Sequence, residues 1–145
     1  MEIESLAMAL EREHREIDAG IEAFTAEPGA RESLERAVRA LRRHIYLEEE
    51  FLFPALHAAG LTAPVLVMLR DHGQMWATLD ALDAGAGPAS CRRLSVQLLH
   101  HNLKEEKILY PELDRVVPEP QAGRLRAFLD SGEMPAEWVC LRARA

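Results

Sequence analysis

Two stretches of the chain place a histidine and a glutamate four residues apart: His44 with Glu48, and His101 with Glu105. Residues four apart stack on one face of a helix, so each pair would present an imidazole and a carboxylate together. Two further histidines, His14 and His72, stand alone within apolar stripes. Imidazole and carboxylate together suit iron, manganese or zinc, whereas the lack of cysteine beside them disfavours soft-metal and structural zinc sites. Iron leads, with manganese and zinc behind it.

The elements that must carry these residues are helices, because apolar positions recur at helical spacing and no stretch alternates strictly with β-branched residues. Ser5 is a candidate N-cap for a first helix with Leu6, Leu10, Ile17, Ile21 and Phe24 inward, ending at Glu27-Pro28-Gly29. A second runs over about 30–59, a third over about 64–84 and a fourth over about 89–117. Ile108, Leu109 and Val116 are among the inward positions of the last. A short fifth helix near 121–129 and a tail complete the chain. Short loops between four long amphipathic helices predict an all-α, antiparallel up-down-up-down four-helix bundle. The expectation is one domain over 1–145, with the bundle at about 5–117 and a C-terminal extension at 118–145.

The chain repeats itself. HIYLEEEFLFPAL from His44 aligns with HNLKEEKILYPEL from His101 with six identities in thirteen positions, and Arg-Glu-His14 aligns with Arg-Asp-His72. The unit is therefore a helical hairpin that occurs twice. His14, His44, His72 and His101 all lie about eleven to thirteen residues from the loops at one end of the bundle, so at ~1.5 Å per residue their depths agree within roughly 3 Å. Glu48 and Glu105 sit one turn farther on, where each carboxylate reaches across to bridge two ions. Two six-coordinate ions need about twelve bonds. Four imidazoles, two bridging carboxylates and a shared oxo or hydroxo bridge leave about two positions open for a small ligand such as O2, NO or peroxide.

With a lone His followed by His-x-x-x-Glu-Glu and a Leu-Phe-Pro-like ending, twice, the sequence resembles the hemerythrin-like, cation-binding four-helix family over roughly residues 5–117. The resemblance implies a non-haem di-iron centre with His14, His44, Glu48, His72, His101 and Glu105 as metal ligands, Glu48 and Glu105 bridging. Oxygen-carrying members have a second histidine one turn after the third-helix ligand, where this chain has Trp76. They also space their last carboxylate five residues from the fourth-helix histidine, which leaves His101 with Glu106, or His100 with Glu105, as alternative pairings. The four-His, two-Glu set is more similar to members linked to nitric oxide stress and repair of iron centres.

Other residues read as less involved. Glu49, Glu50 and Glu106 turn away from the ligand face and are expected on a solvated surface. His57 is expected exposed, His100 at the flank, and Trp76, Met75 and Tyr110 in the core, with Trp76 also able to wall the pocket. Pro54 and Pro111 come six residues after each ligand glutamate and predict paired bends.

The chain has 145 residues, 17 Lys and Arg against 24 Asp and Glu, and a net charge of -7, which suits cations and excludes nucleic acid as a natural partner. Cys91 and Cys140 form no metal-finger spacing and fit a reducing cytoplasm. Neither a leader pattern nor a membrane span is read, the longest apolar run being far short of ~20 residues. Phosphate-loop, dinucleotide and hydrolase motifs are absent. The expected function is a di-iron protein binding O2, NO or a related small oxidant for sensing, scavenging, iron handling or repair, with binding favoured over turnover. The alternatives are a di-iron oxidase, peroxidase or NO reductase, and a metal-free helical interaction module.

Overall fold

A computed structural model describes residues 4–27 and 29–144. The Ser5 side chain accepts from the Met8 N–H at 3.1 Å and starts α1, Leu6–Ala26, the capping expected at that position. The face carrying Leu6, Leu10, His14, Ile17, Ile21 and Phe24 is buried. Pro28, read as part of its terminator, lies outside the described residues. Helix α2, Arg31–Leu47, buries Leu34, Val38, Leu41, His44 and Ile45, and α4, Thr62–Asp83, buries Val65, Met68, His72, Met75, Leu79 and Leu82. Helix α5, Pro88–Lys104, buries Leu94, Leu98 and His101.

The second and fourth helices are not continuous. A π-helical turn at Glu48–Leu52 joins α2 to α3, Phe53–Ala58. A second π-helical turn at Glu105–Leu109, succeeded by a 3-10 turn at Tyr110–Glu112, joins α5 to α6, Leu113–Val116. Pro54 and Pro111 cannot donate to the carbonyl four residues back, and their rings crowd it. The chain widens instead, with the Phe53 N–H reaching Glu48 O and the Tyr110 N–H reaching Glu105 O, five residues earlier. The expected bends are thus π turns that open at the two glutamates themselves, a feature frequent at functional sites. Widening also rotates the later residues of the fourth helix about its axis, which leaves Ile108 exposed and Val116 half-buried rather than inward.

Helix α1 packs on α2 and α5, and α4 packs on α5 and α3. The apolar side chains form two clusters. One is built around Ile21, Val38, Leu79 and Leu94, the other around Leu10, Leu52, Leu56, Met68 and Leu113. On every long helix the histidines and glutamates fall between the two, so a polar layer is enclosed from above and below. Gly60 and Gly85, with φ of 97° and 101°, close α3 and α4. In each case the next residue's N–H bonds five residues back, Leu61 to Leu56 O and Ala86 to Ala81 O, the left-handed ending that glycine permits.

After α7, Glu119–Ser131, the chain runs back over the bundle and ends in a 3-10 turn at Leu141–Ala143. Cys140 is fully buried in the first apolar cluster, and Trp138 packs on Trp76 and Tyr46 at 5.6 and 5.1 Å. Trp76 is buried in that packing, as expected of a core residue. No described helix is long and apolar enough to cross a membrane.

Candidate metal centre

The six residues singled out by their spacing come together in the buried polar layer. His14, His44, Glu48 and Glu105 form one group, and Glu48, His72, His101 and Glu105 form a second, with the potential ligand atoms of each group within 4.8 Å of one another. Glu48 and Glu105 belong to both and have no solvent exposure. His100, the alternative partner of Glu105, is exposed, and Glu106 points elsewhere, so the His101 with Glu105 pairing is the one assembled.

The distances suit a cation between the groups. His14 Nε2 and His44 Nε2 are 3.1 Å apart, and two ligands bound at ~2.1 Å and at right angles end about 3.0 Å from each other. His72 Nε2 lies 3.1 Å from Glu48 Oε1, and His101 Nε2 lies 3.2 Å from Glu105 Oε2. That Glu105 oxygen is buried with no hydrogen-bond partner, an unsatisfied acceptor of the kind a cation would complete. The donor set of four imidazoles and two shared carboxylates therefore fits two hard or borderline metal ions.

Around this set stands a second ring of carboxylates, one on each imidazole. Glu106 Oε2 lies 2.8 Å from His14 Nδ1, Glu13 Oε1 2.8 Å from His44 Nδ1, Glu49 Oε2 2.7 Å from His72 Nδ1, and Asp71 Oδ2 3.1 Å from His101 Nδ1. A carboxylate at Nδ1 fixes the tautomer, turns Nε2 inward and makes it a better ligand. The arrangement obeys the repeat: Glu13 and Asp71 each precede a lone histidine and serve the second histidine of their own hairpin. Glu49 and Glu106 each come directly after a shared glutamate and serve the lone histidine of the other hairpin. Expected on a solvated surface, Glu49 and Glu106 are instead part of the site. The residue one step round a helix faces the neighbouring helix, where the outer edge of that neighbour's imidazole waits. Glu50, one step farther, is exposed as expected, and so is His57.

The charges are set by this geometry. Burial opposes a charge on His44, yet the Glu48 and Glu13 carboxylates raise its pKa to about 10. Burial likewise opposes charge on His101 and His72, and the carboxylates around each still raise them. Burial acts against ionised Glu48, but His44 and the hydrogen bonds around it hold the carboxyl well below the usual range. The carboxylates thus make His44, His72 and His101 hold a proton more tightly than a free imidazole does.

Tyr110 is buried in the second apolar cluster, as expected of a core residue, and also reaches the centre. Its hydroxyl donates to Glu48 Oε2 at 2.7 Å and lies 3.2 Å from Glu105 Oε1, 3.0 Å from His14 Nε2 and 3.2 Å from His44 Nε2. Burial and the two glutamate charges push the phenol well above its ordinary pKa, so it stays a neutral donor. Five residues along a regular helix is about 140° away from Glu105; the π turn brings Tyr110 back to the ligand face. The Tyr-Pro dipeptide after the second glutamate was the available signal.

The chain is thus a helical bundle whose core carries two adjoining His/Glu groups able to hold cations. The hemerythrin HHE cation-binding domain family matches residues 5–113, and the chain belongs to it. No curated protein and no solved structure matches the chain.

Proposed function

We propose that this chain is a non-haem di-iron protein of up-down-up-down topology that binds O2, NO or a related small oxidant. His14 and His44 would hold one ion, His72 and His101 the other, with Glu48 and Glu105 shared between them. The observation carrying this reading is that two four-residue groups have the same two buried glutamates in common, as a pair of adjacent ions requires. Iron there would supply a redox couple and open coordination positions in a dry pocket. The chain's own residues orient and enclose: four outer carboxylates aim the imidazoles, and two apolar clusters keep water from the layer. Sensing, scavenging, iron handling and iron-centre repair are the roles such binding serves, and the two buried free thiols suit a cytoplasmic setting.

A second reading, turnover at the same centre as an oxidase, peroxidase or NO reductase, is favoured by one observation. The Tyr110 hydroxyl oxygen lies 2.7 Å from an oxygen of a shared carboxylate, which puts a proton donor beside the position a reacting ligand would take.

The test is metal analysis of the purified protein, with ultraviolet-visible spectra before and after dithionite and NO. About two irons per chain, with charge-transfer bands that bleach on reduction and change with NO, supports binding. Repeated consumption of peroxide or NO with a reductant supports turnover. A folded, colourless protein that takes up neither iron nor manganese would overturn both.

A further inference from the structure

Three of the four outer carboxylates receive a second hydrogen-bond donor. Arg43 Nη1 lies 3.3 Å from Glu13 Oε2, and Lys104 Nζ lies 2.8 Å from Asp71 Oδ2. Glu49 has no such side chain: its Oε1 accepts from the backbone N–H of Leu141 at 3.0 Å, from the C-terminal tail. Its side chain is also the least exposed of the four, at 5% against 11%, 17% and 33% for Asp71, Glu13 and Glu106. The carboxylate that orients His72 is therefore itself oriented by a segment outside the family-matched residues 5–113.

The contact is a fitted one. Gly73, next to His72, lies directly beneath Arg142, where an added Cβ would stand 2.8 Å from Arg142 Cβ. Glycine in mid-helix is otherwise unfavourable, and here it makes room for the tail. Trp138 Nε1 donates to Glu50 at 2.9 Å. The extension reaches the His44 side as well, since Arg43, which holds Glu13, also donates to the carbonyls of Phe128, Leu129 and Gly132.

Resting on the di-iron reading above, we propose that the C-terminal segment 133–144 is a positioning arm for the His72 half of the centre, its docking energetically coupled to metal binding there. The chain Leu141 N–H to Glu49 to His72 Nδ1 carries the coupling. Linkage makes it reciprocal: a docked arm favours metal, and bound metal holds the arm down. Cys140, adjacent to Leu141 and fully buried, reports docking, and Cys91, fully buried in α5, reports opening of the whole bundle.

The experiment is alkylation of both thiols by iodoacetamide, resolved by mass spectrometry, with and without ferrous iron, beside an anaerobic iron titration. In the wild type, iron should slow alkylation of Cys140 at least about threefold more than that of Cys91. Leu141→Pro removes the N–H and otherwise exchanges an exposed side chain. The residue opens a 3-10 turn where proline fits, the preceding Cys140 already has ψ of 153°, the conformation required before proline, and the Leu141 side chain is exposed. It should weaken one of two iron equivalents by about threefold to tenfold, less than the ~10–100-fold of a direct outer partner, and abolish the selective protection of Cys140. Leu141→Ala, which keeps the N–H, should do neither. Gly73→Ala supplies the independent variant, improving the helix but displacing Arg142, and should also expose Cys140 selectively. If wild-type protein binds two irons while Cys140 and Cys91 react in constant proportion and both variants bind iron like the wild type, the arm is overturned and the di-iron reading stands. If wild-type protein binds no iron, both fall.

Discussion

The Tyr110 hydroxyl donates to Glu48 Oε2 at 2.7 Å, joining the end of the second hairpin to the shared carboxylate of the first. Its counterpart in the repeat is Phe53. The two rings stack alike, Tyr110 on His14 and Phe53 on His72, each with centroids 5.4 Å apart. The Tyr110 oxygen therefore breaks the twofold likeness on the inner face of the centre, and among the described residues the His14/His44 half alone has a hydroxyl against its imidazoles.

Replacing Tyr110 by phenylalanine should remove that difference without disturbing packing. Loss of one buried hydrogen bond costs about 1–3 kcal/mol, so the fold and both iron positions should survive. The charge-transfer bands of the iron-loaded protein should shift. A spectrum superimposable on the wild type would place the hydroxyl outside the electronic reach of the centre.

The two kinds of proposed ligand predict different metal contents. His101 belongs to one group and Glu48 to both. His101→Ala should leave about one iron per chain and Glu48→Ala close to none, each with a lower melting temperature, because metal bound only to the folded state stabilises it. Equal iron content and unchanged melting in both would show that these residues hold no metal.

The outer carboxylates should matter almost as much. Glu13→Gln keeps the shape but weakens the acceptor at His44 Nδ1, and should reduce iron affinity by ~10–100-fold. Glu16, exposed on the same helix, should tolerate the same change without effect. Competition against a chelator measures both, and equal affinities would reduce Glu13 to a surface partner of Arg43.

Without metal, stability should fall as pH rises. The unfolded imidazole has a pKa near 6.5, whereas His44 in the folded protein stands at about 10, with His72 and His101 also raised. The folded state then binds more protons, so this contribution is fully present below about pH 6.5 and is lost as pH climbs through the folded values. Glu48 works oppositely: its carboxyl is held below 4.5, and its contribution is present above that value and lost in acid. Thermal melts of metal-free protein should show a maximum between these limits. Iron must displace the imidazole protons, so its affinity should rise with pH over the same range. A metal-free melting temperature flat from pH 6.5 to 10 would contradict the charged imidazoles.

Helices, the hairpin repeat and the six inward His and Glu residues were legible in the sequence because they rest on local spacing. A four-residue interval selects one helical face whatever lies opposite, and a stripe of leucines with a histidine in it marks a buried polar position before any neighbour is known. The meeting of the four histidines at one depth, with the two glutamates one turn farther on, came from counting residues along rods of fixed rise. Contacts that depend on how one helix is rotated against the next could not be read this way. Glu49 and Glu106 look solvent-facing on an isolated helix and become hydrogen-bond partners only because another helix presents its imidazole there, in the case of Glu106 and His14 across 92 residues of chain. Tyr110 reaches the centre only through a π turn, whose extra residue no regular periodicity anticipates. The tail, lacking any period, shows its place only where Gly73 leaves room for it and Glu49 accepts its N–H. Local interactions are written in neighbouring residues, whereas these contacts exist only once packing has set the helices side by side.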